Sequence, residues 1–223
     1  MSEHVFLLIK SNIKKSVRTS LAFFMLSVVT ILLSYTGSQM TEGFKSLYQE
    51  KIAETNSADF AAVLPYDFCE KYRDEIINFQ KENEDISEIE VTEALLIRSV
   101  DIRDGDHEAI NGSWTFRNAD RKETLSTLKI VSRLDQIPEN GIYVPYVCKT
   151  FFGFQLGDSL HIISSGWQET FIIAGFTEDV LFGSRSNIIF DLPEDQFNSL
   201  KSKAGIDSNA AIVMMKTSGK AGE

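Results

Sequence analysis

Cysteine is scarce in this chain: Cys69 and Cys148 are its only two in 223 residues. Two thiols exclude a disulfide-stapled scaffold and the four-cysteine zinc sites. Four prolines and thirteen glycines exclude a collagen-like or linker composition. Basic side chains are outnumbered, 22 against 32 acidic, and the formal charge of -10 argues against a nucleic-acid partner, which would need a basic patch. The three histidines, His4, His107 and His161, are too scattered to suggest a metal site. There is no phosphate-binding G-x-x-x-x-G-K-[ST], no H-E-x-x-H and no G-x-S-x-G. No residue therefore stands out as catalytic, cofactor-binding or metal-ligating. What remains, 43% hydrophobic and 24% charged residues, is the composition of a folded protein with room for one ordinary domain or two small ones.

One further absence is local. From residue 19 to residue 41 there is no charged side chain, although the mean hydropathy of the whole chain is only -0.09. As a helix those residues would be about 35 Å long at 1.5 Å per residue, enough to span a hydrocarbon core of about 30 Å with some tilt. A soluble domain rarely houses a helix that is apolar on every side. A cleaved signal peptide is the competing reading. Its apolar region is usually shorter, however, and no Ala-x-Ala site follows. Residues 1–18 carry Lys10, Lys14, Lys15 and Arg18 against one acid, Glu3, for a net +3; the remainder carries -13. The positive-inside rule then puts the N-terminus in the cytoplasm and the bulk of the chain outside. Phe6, Ile9, Ile13 and Val17 share one helical face, with Lys10, Lys14 and Arg18 along its flank, which suits an interfacial amphipathic helix. Leu7 and Leu8 fall off that stripe, and a plain basic flank that only sets topology fits as well.

The organisation read from the chain is a basic cytoplasmic segment (1–18), a transmembrane helix (19–41), a helical stalk (42–56), an extracytoplasmic domain (57–217) and a tail (218–223). Phe44, Leu47, Tyr48 and Ile52 continue at helical spacing through the stalk, so their apolar face needs a covering partner; Asn56-Ser57 ends the helix. Residues 60–64 suit a strand and 66–85 one helix. From Ile86 to Ile102 the period changes towards two. Asp104-Gly105-Asp106 and Asn111-Gly112 read as turns, with Trp114 and Phe116 on a returning strand. Further strands are expected at 128–134, 142–144, 159–163, 169–176, 187–191 and 210–215. Helices are expected at 146–152, ended by Gly153, and at 193–203, between Pro193 and Gly205. Strands and helices mix without a strand-helix rhythm, so the class is α+β, in one or two lobes, on a single N-terminal membrane helix.

Three smaller features have two readings each. Asp101, Asp104, Asp106 and Glu108 could hold calcium, but their spacing is not that of an EF-hand, and turns use Asp freely. Cys69 and Cys148 could bridge or stay as buried thiols. Asn111-Gly112-Ser113 matches the glycosylation sequon, which matters only in a eukaryotic secretory pathway.

The opening LLIKSNIKKSVRTSLAFFMLSVVTILLSY resembles the start of bacterial ABC-transporter permeases of the FtsX-like and MacB-like family, with Asn12, Lys14, Lys15, Arg18 and Thr19 at the pattern positions. GIYVPYVCKTFFGFQLGDSLHI resembles a later segment of that family through Gly153, Leu156, Gly157 and Asp158. QETFIIAGFTED does so through Phe171, Ile173, Gly175, Phe176 and Asp179. The resemblance covers residues 5–40 and 140–217; the middle matches no motif. It implies a MacB-like periplasmic core domain on the first membrane helix, in the plasma membrane of a bacterium. It also implies a non-catalytic role, with a separate cytoplasmic ABC ATPase as energy source and the remaining permease helices, or a second permease copy, as partners in the bilayer. Family members continue with three more membrane helices and this chain ends at Glu223, so a fragment, a split subunit or a truncated product is expected. The alternative is a single-pass anchored binding or sensor domain without an ATPase.

Overall fold

The structure is a computed structural model that describes residues 2–104, 109–164, 166–184 and 187–219. Asp106, His107 and Glu108 of the acidic turn lie outside the described residues, as do the side chains of Asp104, His4, Lys10, Lys14, Lys15 and Arg18. The chain divides into two units, Met1–Glu50 and Lys51–Glu223.

The first unit is helical throughout its described length, as part of α1 (Ser2–Thr55). The stretch Thr19–Thr55 is long and apolar enough to cross a membrane, with a mean hydropathy of 1.8 in its most apolar window, and none of that window is buried within the protein. A core helix would be buried. Three threonine hydroxyls inside the apolar stretch are satisfied locally: Thr30, Thr36 and Thr41 donate to the carbonyls of Leu26, Leu32 and Gly37 at 2.8–2.9 Å. Such back-bonding lets a threonine sit in hydrocarbon without an orphaned polar group.

The second unit is a mixed sheet with short helices. Its elements are β1 (Phe60–Pro65), α2 (Tyr66–Lys71), α3 (Arg73–Glu82), β2 (Ile86–Asp104), β3 (Ile110–Asn118), β4 (Lys129–Arg133) and β5 (Gly141–Pro145), followed by α4 (Tyr146–Phe152), β6 (Ser159–Ile163), β7 (Gln168–Glu178), β8 (Gly183–Ser184), β9 (Asn187–Leu192), α5 (Glu194–Ala204) and β10 (Asn209–Thr217). The pairings close a ring: β2 with β3, β3 with β9, β9 with β5, β5 with β7, β7 with β6, and β6 back to β2. The long strand β2 makes this possible. One of its edges is shared, first by β10 over residues 86–95, then by β6 over residues 101–104. Between the two, the register with β3 shifts between Ile97 and Val100, and Ser99 takes a positive φ of 55°. A bulge of this kind bends a strand and sharpens its twist.

Leu95, Ile102, Phe116, Val144, Leu160, Phe171 and Phe190, drawn from all six ring strands, lie in one buried core with Cys148 of α4 and with Phe197 and Leu200 of α5. Each large side chain contributes about 1.5–3 kcal/mol by leaving water. A second core, with Ala58, Leu125, Phe182, Ile189, Ile212 and Met214, packs beside β1 and β10. The α+β class is thus one sheet system with two cores. Glycine matters at two of its positions. Gly153 ends α4 at a φ of 81°, and a Cβ on Gly175 would lie 2.9 Å from both the Ser132 carbonyl and the Tyr143 ring.

Two sequence expectations are corrected. Asn111-Gly112 is not a turn but part of β3, paired with Asp101 and Val100, and the Asn111 amide donates to Asp101 Oδ1 at 2.7 Å. Its turn-forming composition yields to the ladder. The helix over 66–85 is two helices meeting at Tyr72, whose ψ of 21° kinks the chain. Helical hydrogen bonds persist across the kink, from Tyr72 N to Phe68 O and from Ile76 N to Tyr72 O. The first helix buries Cys69, while Gln80 of the second bonds the backbone of Ser87 and Ile89 at the start of β2, so the two turns serve different neighbours.

Candidate functional site

Residues 51–55, the last turn of α1, belong to the second unit. A helix end exposes carbonyls that lack intrahelical donors. Two are met by the chain just past the helix, Ile52 O by Ser57 N and Ala53 O by Asn56 N; the last, on Thr55, and that of Asn56 are met by a strap, residues 119–127, that connects β3 to β4. Thr127 N donates to Thr55 O at 2.9 Å and Ser126 N to Asn56 O at 3.0 Å. The Asn56 side-chain amide donates to Thr124 O at 2.6 Å, and Lys216 Nζ bonds its Oδ1. Asn56 itself sits at a φ of 46°, the left-handed position after a helix that asparagine tolerates. Ala58 N donates to Ser126 Oγ at 3.2 Å, and Thr55, Ser57 and Ser126 are all buried. The strap is fixed from its other side by Glu90, whose carboxylate accepts from Thr124 N at 3.1 Å and Leu125 N at 2.7 Å.

Four alternating charges surround this junction. Lys51 Nζ donates to Glu178 Oε2 at 2.9 Å and lies 3.4 Å from Glu54; Lys129 lies 3.3 Å from Glu178 and pairs with Glu54. The hydrogen bond from Lys51 holds the Glu178 carboxyl below the usual carboxylate range, against a smaller opposing effect of burial. The pairs are about a third exposed, so solvent screens them and each adds little stability. The backbone bonds and buried residues do more to hold the helix end than the charges do.

Behind the junction lies a buried cluster of five charged side chains. Arg117 of β3 donates through Nε to Asp191 Oδ1 of β9 at 2.7 Å, with side-chain exposures of 1% and 2%. Arg121 of the strap donates to the same oxygen at 3.1 Å and pairs with Glu123. Arg117 also lies 3.7 Å from Glu123 and 3.8 Å from Asp179. The Arg117 guanidinium sits 5.8 Å from the Phe182 ring centre, within cation-π reach. Burial, then the neighbouring Arg117, pulls the Arg121 guanidinium down to about 9, which leaves it protonated at neutral pH. Burial pushes Asp179 up, against the pull of Arg117 and of the Phe182 and Leu181 amides.

The residues singled out from sequence are not gathered at one place. Phe44, Leu47 and Tyr48 are 66%, 50% and 58% exposed in the first unit, whereas Ile52 is half-buried in the second and its carbonyl accepts from Ser57 N. The backbone of Lys10, Lys14, Lys15 and Arg18 lies in α1. Cys69 and Cys148 are both buried and free; burial alone pushes the Cys148 thiol up to about 12. His161 Nδ1 bonds the Thr170 hydroxyl at 2.9 Å inside the β6–β7 pair. Among the described residues no cluster of His, Cys, Asp and Glu could hold a metal. Arg117, Arg121, Glu123 and Asp191 had no sequence signal as a group. Arg117 falls on the polar positions of the alternation Trp114-Thr115-Phe116-Arg117, so it reads as solvent-facing, and only Asp191, set between Phe190 and Leu192, breaks an apolar run.

No family model and no curated protein matches the chain. Among solved structures it is similar to a crystallised domain of a protein described as a permease from Porphyromonas gingivalis, at 16% identity and a TM-score of 0.40. The match covers 60% of this chain and 64% of that one. At that level of similarity, function rests on the residues of this chain.

Proposed function

We propose that the chain is a non-catalytic membrane component, or N-terminal portion, of an ABC transporter permease. In this reading α1 anchors it in the bilayer, with the N-terminus cytoplasmic and the second unit extracytoplasmic. That domain relays ATP-driven motion to the export, extraction or regulation of an extracytoplasmic substrate. The single observation that supports it best is the junction. A helix that serves only as a tether can end in a loose linker. Here the last turn of α1, residues 51–55, belongs to the domain's own unit, and the carbonyls of Thr55 and Asn56 are taken up by the strap. A force on residues 51–56 would be delivered to β4, β7 and β10 through named bonds. Basic residues before a charge-free span of 23 residues support the orientation.

The test is association. The tagged chain, cross-linked in native membranes and purified, is expected to carry a cytoplasmic ATP-binding cassette protein in fixed proportion. Replacing Leu47 and Tyr48 together by Gly should uncouple transport while leaving ATP hydrolysis in place. Each Gly costs about 1 kcal/mol of helix propensity. Absence of any ATPase from the purified material would return the chain to the anchored binding or sensor class.

A further inference from the structure

The buried charge cluster and the junction share one piece of chain. Glu123, which pairs with Arg121 and lies 3.7 Å from Arg117, is followed directly by Thr124, Ser126 and Thr127, the residues that hold Asn56 and Thr55. Asp179, on the other side of Arg117, follows Glu178, the partner of Lys51. We propose that Asp179 is a proton-operated latch on the helix junction: with a proton it leaves the strap locked on the end of α1, and without one it loosens the strap.

The geometry assigns the surplus charge to Asp179: Asp191 and Glu123 each have a close guanidinium partner, whereas Asp179 has none nearer than 3.8 Å among the described residues. Its Oδ1 accepts the amides of Leu181 at 2.8 Å and Phe182 at 3.1 Å. Its Oδ2 is buried with no hydrogen-bond partner among the described residues, and the Arg117 guanidinium is 3.8 Å away. The charged groups around it are Arg117 from β3, Arg121 and Glu123 from the strap, Asp191 from β9, Lys129 from β4 and Glu178 from β7. Lys129 and Glu178 satisfy each other at the rim. Inside, among the described residues, two guanidiniums face three carboxylates, so one negative charge is in excess when all five are ionised. An uncompensated charge in a low-dielectric interior is costly, and a proton on Asp179 removes it. Ionised, Asp179 competes with Glu123 and Asp191 for the single Arg117, and Glu123 is the competitor that carries the strap.

The sign follows from proton linkage. Burial raises the Asp179 carboxyl in the folded protein, so its stabilising effect is full below the unfolded value and is lost as pH rises through the folded one. Glu178 is shifted the other way, held low chiefly by the hydrogen bond from Lys51. Lowering the pH therefore engages the latch and raising it releases the latch. This inference stands independently of whether an ATPase drives the chain.

Two measurements on the full chain in detergent micelles test it. The first is a titration of the Asp179 side-chain carboxyl by carbon-13 NMR, assigned through the backbone. The second is amide exchange at Ser126 and Thr127 over the same pH series, divided by the intrinsic rates. Asp179 is expected to titrate above the ordinary aspartate range. Protection at the two amides should fall by up to about tenfold per pH unit through that titration and then level off, as one linked proton requires. Asp179→Asn should hold protection at its acid value throughout. An Asp179 that titrates in or below the ordinary range, or protection that stays flat while it titrates, overturns the proposal. Both of those readings come from the unaltered chain, so they decide even if the variant does not fold.

Discussion

Arg117→Met would remove one guanidinium from the buried cluster while keeping an unbranched, flexible side chain against Phe182. Arg117 is the only residue of the cluster within 4 Å of all three carboxylates, at 2.7 Å from Asp191, 3.7 Å from Glu123 and 3.8 Å from Asp179. Without it, Arg121 alone faces the three acids. Breaking a buried ion pair by deleting one partner costs about 3–5 kcal/mol, because the remaining charge stays in the interior without compensation. For a folding unit of this size each kcal/mol lowers Tm by about 2–4 °C, so a fall of roughly 6–20 °C is expected. Fluorescence of Trp114 reports it. That indole is 7% exposed in the ring core and donates to Val100 O, so its signal follows the second unit rather than α1. The loss should grow as pH rises, since acid protonates the carboxylates left behind. Adding Asp191→Leu should recover part of it, with a coupling of about 0.5–3 kcal/mol for neighbours in one network. A drop below about 1 kcal/mol, the value of an exposed pair, would refute the claim that the cluster is desolvated.

Other outcomes follow from the same geometry. A cysteine at Ser199, exposed on α5, should react with an impermeant thiol reagent in intact cells, and the buried Cys69 and Cys148 should give little background; labelling only after lysis would reverse the orientation. Neutralising Lys10, Lys14, Lys15 and Arg18 should weaken that orientation. A fragment spanning residues 51–217 should be soluble and melt cooperatively in circular dichroism, whereas a broad melt without near-ultraviolet signal would mean that the domain depends on further helices. Glu178→Gln should change stability at neutral pH by no more than about 1 kcal/mol, its side chain being 37% exposed and screened. The wild-type pair is present above the unfolded carboxylate range and lost as pH falls through the lowered Glu178 value, so the variant should show a shallower acid-side decline in Tm.

The chain itself determined most features that depend on neighbours in sequence, the kink at Tyr72 being an exception. A charge-free span long enough for a bilayer needs only composition, and the helix and strands of the last third follow from period, Pro193, Gly153 and Gly205. The end of α1 was legible from Asn56, because a residue that accepts a left-handed φ marks a helix stop wherever it falls. Local rules failed where a distant partner overruled them. Asn111-Gly112 has the composition of a turn, but the ladder to β2 holds it extended. Ring closure depends on β2 giving one edge to both β10 and β6, and those strands stand far from it in sequence. The charge cluster is the strongest case. Arg117, Arg121, Glu123, Asp179 and Asp191 lie up to 74 positions apart, and in sequence each reads as a solvated surface charge. Only the packing of β3, β7 and β9 against the strap removes the water from them, and that removal is what turns ordinary side chains into a site.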